Sequence, residues 1–279
     1  MLEENTEPPK KLIRRLQKFT HHKDIMFTDR CNSAIFIAMQ IAKRSNPKQS
    51  ILIPDQGGWL SYKKYPKFFN FNIKEVKTDY GIIDLEDLEE QSKNASALIF
   101  TSFAGYFAEQ PLKEIAKICH ENNCLVIEDA SGAIGHPKLC NGKYSDIIVG
   151  SFGLWQPMDY GYGGFISTKD LKAFSYAREA ISTVKVHPIF YDDIYDLLKD
   201  KKLKLMMHLA EKVKKDLKKF DVIHRDKKGL NVVVKFDSKV IDYCTKKNYP
   251  YMLCPNYIRV NEKAISIELK KLTLEQLKK

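Results

Sequence analysis

Four stretches of the chain hold residue types that could do chemistry at their spacing. In "LVIEDASGAIG", residues 125–135, a continuously apolar run ends in two carboxylates, Glu128 and Asp129. Side chains alternate along a strand, so these two face opposite ways, and Asp129 either meets a ligand or caps the turn that follows. In "TDRCNSAIFIAMQIAKRSN", residues 28–46, a turn at 29–32 feeds an apolar helical pattern. Backbone N–H groups near Asn32 and Ser33 would there favour an anion. "SILIPDQGGW" opens a short strand into a glycine-bearing loop that ends on Trp59, and "VGSFGLWQPMDYGYGGF", residues 149–165, places Ser151 after another apolar strand and Gln156 five residues on. Cysteine contributes nothing obvious: the six form no CxxC pair and are too sparse for a disulfide framework, so they read as buried thiols.

These residues need a scaffold, and the alternation of apolar runs with helical segments supplies one. "SALIFTSFAG", "CLVIEDAS", "DIIVGSF" and "GGFIST" read as buried strands, and "PLKEIAKICHENN" as a helix that begins at proline. Such a pattern predicts a mixed, mostly parallel sheet between helices. Ligands gather at the carboxyl ends of strands in these folds, and Ser102, Asp129 and Ser151 fall at such ends. From about residue 170 the texture changes. Long helical segments at 169–181 and 194–219 lead to "LNVVVKFD", "VIDYCTKKNYP", "NYIRV" and "AISIEL", read as strand, helix, strand, strand. The domain reading is therefore a basic N-terminal helical arm (1–24), a large α/β domain (25–190), and a connecting helix with a small C-terminal α+β domain (191–279).

The 279 residues include 44% hydrophobic residues, enough for a sizeable core, and the formal charge is +11. Residues 199–219 hold nine lysines against three carboxylates, a net +6, with apolar residues at helical spacing. With "KKLIRRLQK" near the start, this could form a nucleic-acid or anionic-surface patch, although a solvated helix face is the plainer reading. The opening "MLEENTEPPKK" lacks the apolar core of a signal peptide, and no apolar run approaches a membrane span, so a soluble cytoplasmic protein is expected.

Taken in order, the four stretches resemble the fold-type-I pyridoxal phosphate (PLP) enzymes, and most closely the DegT-like sugar aminotransferases. The resemblance runs from about Phe27 to the end of the chain. It implies a homodimer and a PLP or pyridoxamine phosphate (PMP) cofactor. Asp129 would face the pyridine nitrogen, Trp59 would stack on the ring, and Asn32, Ser33 and Ser151 would hold the phosphate. It also implies a Schiff-base lysine five residues after Ser151, where this chain has Gln156; counting back from Gly163 and Gly164 gives the same residue. Glutamine can neither form an imine nor shuttle a proton. Gly132 stands where the family has a ring-contacting glutamine or histidine, and Tyr162 where it has glutamate.

The expectation is thus an aminotransferase homologue without transaminase activity, acting by binding a ligand or partner, with any cofactor held non-covalently. An enzyme independent of the lysine would act on a nucleotide-sugar-like substrate and need another base, from Tyr160, Tyr162, Asp159, His136 or His187. A nucleic-acid-binding protein that uses the basic helices is the third reading. Arg259, in "NYIRV", reads as a surface residue more readily than as an acid-group contact.

Overall fold

A computed structural model of the chain describes residues 8–184, 186–187, 190–198 and 201–278. Its large sheet has seven strands: β1 (Asp24–Thr28), β2 (Ser50–Pro54), β3 (Asn72–Val76), β4 (Ala95–Thr101), β5 (Leu125–Asp129), β6 (Ile147–Ser151) and β7 (Gly164–Thr168). Their order across the sheet is β1-β7-β6-β5-β4-β2-β3. The run from β6 to β3 is parallel throughout, while β7 is antiparallel to both β6 and β1. The mixed, mostly parallel sheet expected from the sequence is therefore what forms.

Both sheet faces are covered, as continuously apolar strands require. Leu52, Leu98, Phe100, Val126, Ile148 and Phe165 pack into one core. Their strand neighbours Ile51, Ile53, Ala97, Ile99, Ile127 and Val149 pack into another, against α2 (Cys31–Ser45). The crossovers include α3 (Leu85–Ser92), whose N-cap Asp84 accepts from the backbone N–H groups of Glu86 and Asp87, and α4 (Leu112–Glu121).

The C-terminal part corrects three expectations. The helical stretch at 169–181 is two short pieces, Lys172–Ser175 and Arg178–Ser182, and that at 194–219 divides into Tyr191–Leu197 and Lys202–Asp216. In the small sheet, Val232–Lys235 and Tyr251–Leu253 flank the central strand Ala264–Ile267, and "NYIRV" is a turn between the last two. Arg259 is not a surface residue: it is 2% exposed, and its Nε and Nη2 donate to the Glu268 carboxylate at 2.7 and 2.6 Å.

The basic helices are more committed than composition suggests. On Lys202–Asp216, Lys202 is buried near Asp159 and Lys214 is buried beside Glu211, while Lys204, Lys212 and Lys215 are exposed. The N-terminal helix, Lys10–Thr20, is tied to Tyr191–Leu197: Lys11 pairs with Asp192 at 2.8 Å, and Arg15 donates to the Leu198 carbonyl. No helix among the described residues is long and apolar enough to cross a membrane.

Where this N-terminal helix meets the sheet, His22 is buried, with Nδ1 2.9 Å from Ser167 Oγ and Nε2 2.9 Å from the Ser145 carbonyl. A carbonyl only accepts, so Nε2 carries a proton, while the Ser167 hydroxyl can donate to a neutral Nδ1. A Cβ on Gly142 would stand 2.1 Å from the ring, so that position admits no side chain. Burial lowers the His22 pKa to about 4, against the partial opposition of the Ser145 contact. The folded state therefore refuses a proton that the unfolded chain takes up below pH ~6.5. Stability is complete above that pH and falls as it drops towards 4, by roughly 3 kcal/mol from this residue. Urea unfolding at pH 7 and pH 4.5 checks this, because a His22→Gln variant should lose most of the difference. An unchanged acid dependence in the variant would place its origin elsewhere.

Candidate functional site

A cavity of about 140 Å³ opens at the carboxyl ends of the central strands, where such folds collect ligands. Its lining includes Asp129 from the end of β5, Ser151 from the end of β6, Gln156 from the loop beyond, Trp59 from the loop after β2, and Arg30 and Asn32 from the start of α2. Five of the six expected cofactor-site residues thus come together: Asn32, Trp59, Asp129, Ser151 and Gln156. Ser33 does not join them. Its hydroxyl donates to Asp29 Oδ1, and that carboxylate would repel a phosphate. Ser102 also turns away, donating to Glu128 Oε1 at 2.7 Å on the opposite side of the sheet.

Asp129 and Glu128 show how alternation along one strand separates two acids. Glu128 is fully buried and accepts from the Ser102 and Ser145 hydroxyls and from the Cys140 and Asn141 backbone N–H groups. These bonds commit it to a structural role. Asp129 faces the cavity. Its Oδ1 accepts from Ser131 N at 3.0 Å and Ser131 Oγ at 2.6 Å, and its Oδ2 accepts from the Tyr62 hydroxyl at 2.8 Å. The local cap and the cavity-facing carboxylate are thus one residue. Burial raises the Asp129 pKa, and the Ser131 and Tyr62 bonds offset part of that rise. Cys31, also in the lining, is held as a thiol chiefly by burial, with the Asp129 charge reinforcing it, so it supplies no thiolate nucleophile.

The remaining walls are aromatic and amide. Trp59 Nε1 donates to Asn32 Oδ1 at 3.0 Å, which braces the loop after β2 against α2. Tyr106 sits in a tight turn after β4 at φ +67°. A Cβ on Gly132 would lie 3.0 Å from its ring, so Tyr106 fills the space that a larger residue at 132 would need. Gln156 Oε1 is buried and has no hydrogen-bond partner. Among the described residues no lysine lines the cavity.

None of the five alternative bases lines it either. His136 pairs with Glu109 at 3.1 Å, Tyr160 donates to Asp193, and Asp159 accepts from Trp155 N. Tyr162 and His187 lie against Phe190. Sequence reasoning missed Arg30, Cys31, Tyr62, Tyr106 and Ser131. Of these, Arg30 and Cys31 fall in the turn read at 29–32 and Ser131 has the Asp-x-Ser spacing of a side-chain-capped turn, while Tyr62 and Tyr106 left no local signal.

The sheet order, its antiparallel β7, and a cavity built around a strand-end aspartate define a fold-type-I PLP-dependent transferase fold. The chain belongs to the DegT/DnrJ/EryC1/StrS aminotransferase family, whose model matches residues 7–187, and residues 200–279 match the MJ1341 family C-terminal domain. Helicobacter pylori PseC, an aminotransferase involved in the biosynthesis of pseudoaminic acid, aligns with a TM-score of 0.74 at 14% identity, over 99% of this chain and 91% of that one. NtdA from Bacillus subtilis, solved with bound PMP, aligns with a TM-score of 0.72 at 17% identity, over 98% and 75%. The probable glycine dehydrogenase (decarboxylating) subunit 1 of Geobacillus kaustophilus is 30% identical over 114 residues, 38% of this chain. The chain spans only 25% of that relative's length.

Proposed function

We propose that this member of the aminotransferase family is a non-covalent PMP-binding protein and does not transaminate by the usual internal-lysine route. The observation that carries the reading is the buried, unpartnered Gln156 Oε1 at a cavity that no lysine lines among the described residues. An orphaned acceptor of this kind is costly unless a ligand supplies a donor. The amine of PMP is such a donor, whereas the aldehyde of PLP offers only a second acceptor.

The other lining groups suit the same ligand. Asp129 Oδ2 retains acceptor capacity beyond its Tyr62 bond, enough for a protonated pyridine nitrogen. Ser151 Oγ accepts from Gly153 N, which leaves its hydroxyl hydrogen for a phosphate oxygen, and Arg30 adds positive charge. When bound, the pyridine ring would supply an electron sink. Asp129 would hold the nitrogen's proton, and Gln156 would orient the amine without exchanging one. The cavity is below the roughly 300 Å³ usual for ligand sites, so part of the ligand would extend into the open mouth.

Thermal unfolding at fixed protein concentration tests this reading. At a hundredfold excess over its dissociation constant, PMP should add about 2.7 kcal/mol, and PLP clearly less. No shift with either vitamer, or a larger one with PLP, would overturn it.

A further inference from the structure

Of the six cysteines, all buried, two stand together at the end of α4. Cys119 lies in the last turn of that helix, and Cys124, five positions on, comes just before β5. The backbone brings them together. Cys124 N donates to the Cys119 carbonyl at 2.8 Å, Asn123 N donates to the His120 carbonyl at 3.1 Å, and Asn123 is left-handed at φ +48°. This is the Schellman helix stop, in which the side chains of its first and sixth residues meet. Apolar side chains commonly fill those two places. Here both are thiols, 0% and 2% exposed and hydrogen-bonded to each other.

Distant segments hold the turn in that shape. Asn46 Nδ2 donates to the Asn123 carbonyl at 2.8 Å, Lys48 Nζ to the Asn122 carbonyl, and Asn122 Nδ2 to Ser92 Oγ at 2.9 Å. On the strand side, Asp146 Oδ2 accepts from Val126 N at 2.8 Å and lies 3.0 Å from His120 Nε2. Two thiols fixed in contact meet at a far higher effective concentration than the same thiols in a free chain. A bond between them therefore costs little further freedom.

We propose that Cys119 and Cys124 form a reversible dithiol–disulfide site that exchanges with small-molecule disulfides of the glutathione type. One cysteine thiolate attacks a sulfur of the oxidised partner, whose S–S bond breaks to release one small thiol. The second cysteine then attacks the protein sulfur of that mixed disulfide and releases the other. The Cys119–Cys124 bond replaces the partner's, two electrons pass from the protein to the partner, and the protons of both cysteines leave with the two small thiols. Cys124 adjoins β5, whose far end carries Asp129, so the bridge fastens α4 to the strand that presents the cavity carboxylate. The contact with Cys124, reinforced by burial, holds Cys119 protonated, which slows the exchange. Neither cysteine lines the cavity, so the inference stands or falls apart from the PMP reading.

The test equilibrates the full chain in buffers of reduced and oxidised glutathione, folded and in urea, and reads each cysteine by acid quench, alkylation and peptide mass spectrometry. Equilibrium is approached from both reduced and pre-oxidised protein, because buried thiols exchange through local opening. In the folded chain the ratio of Cys119–Cys124 disulfide to dithiol should be at least about tenfold above that in urea, while the buried Cys140 and Cys244 stay thiols. Cys124→Ser should leave Cys119 reduced in the same buffer. A ratio no higher in the folded chain than in urea, glutathione held singly on either cysteine at equilibrium, or pairing of either with a different cysteine overturns the proposal. The wild-type comparison decides the matter even if Cys124→Ser does not fold.

Discussion

A Gln156→Lys variant should capture PLP covalently at residue 156, giving a visible absorbance band and, after borohydride reduction, one stable adduct on that peptide. The wild type should give none at that position, so the change is from zero to stoichiometric. The side chain of residue 156 already lies in the cavity wall, buried at its tip. An amine there would replace an orphaned amide oxygen. It would stand among groups that tolerate charge: the Asp129 carboxylate favours an ammonium for binding, and deprotonation then releases the nucleophile. Peptide mapping is essential, because exposed lysines also form adducts with an aldehyde and must be told apart from residue 156. Absence of an adduct at 156 in a folded variant would mean that the cavity does not admit the cofactor aldehyde, and the PMP reading would lose its geometric basis.

The second large effect is on stability. Arg259→Ala should cost roughly 3–5 kcal/mol, a large part of the 5–15 kcal/mol typical of a folded domain, because it leaves the Glu268 carboxylate buried without its partner. Glu268→Ala should cost a similar amount. The double variant Arg259→Met with Glu268→Leu should recover much of the loss, since a buried ion pair is worth little against well-packed apolar groups. Burial alone would raise the Glu268 pKa, but Arg259, by charge and by hydrogen bond, and Ser266 outweigh it and bring the pKa below the ordinary value. The sign follows from that depression. The contribution is present above the unfolded carboxylate pKa of about 4.3 and is lost as pH falls through the lower folded value. Denaturant unfolding of the three variants checks the order, and a wild-type-like Arg259→Ala would remove the pair from any role in the fold. The same variant should loosen the cavity wall, since the guanidinium lies 5.3 Å from the Tyr106 ring centroid.

Much of the frame was legible in the sequence because its signals are local. Continuous apolar runs such as "ALIF" and "LVIE" mark strands covered on both faces, and both strands form as read. Asp84, Pro111 and the turn before Cys31 mark helix starts for reasons confined to a few residues. Where the cue was weak, the reading failed. β1 was not anticipated, because "DIMFT" is short and only partly buried. "NYIRV" has the composition of a strand, but the chain turns there so that Arg259 can reach Glu268.

Local pattern thus determined, from the sequence alone, the α/β class, the strand ends at Asp129 and Ser151 where a ligand would lie and the helix start at Asn32, and the family resemblance added Trp59 and Gln156 to the cavity. Only the tertiary structure decided what those residues meet. Tyr62 reaches Asp129 across 67 positions, Lys270 reaches the Tyr106 ring from the far end of the chain, and Ser33 turns to Asp29 instead of the cavity. Spacing along a chain fixes which residues share a strand end or a helix turn. Contacts between distant segments, and the burial that shifts Asp129 and Lys270, exist only once the sheet has brought those segments together.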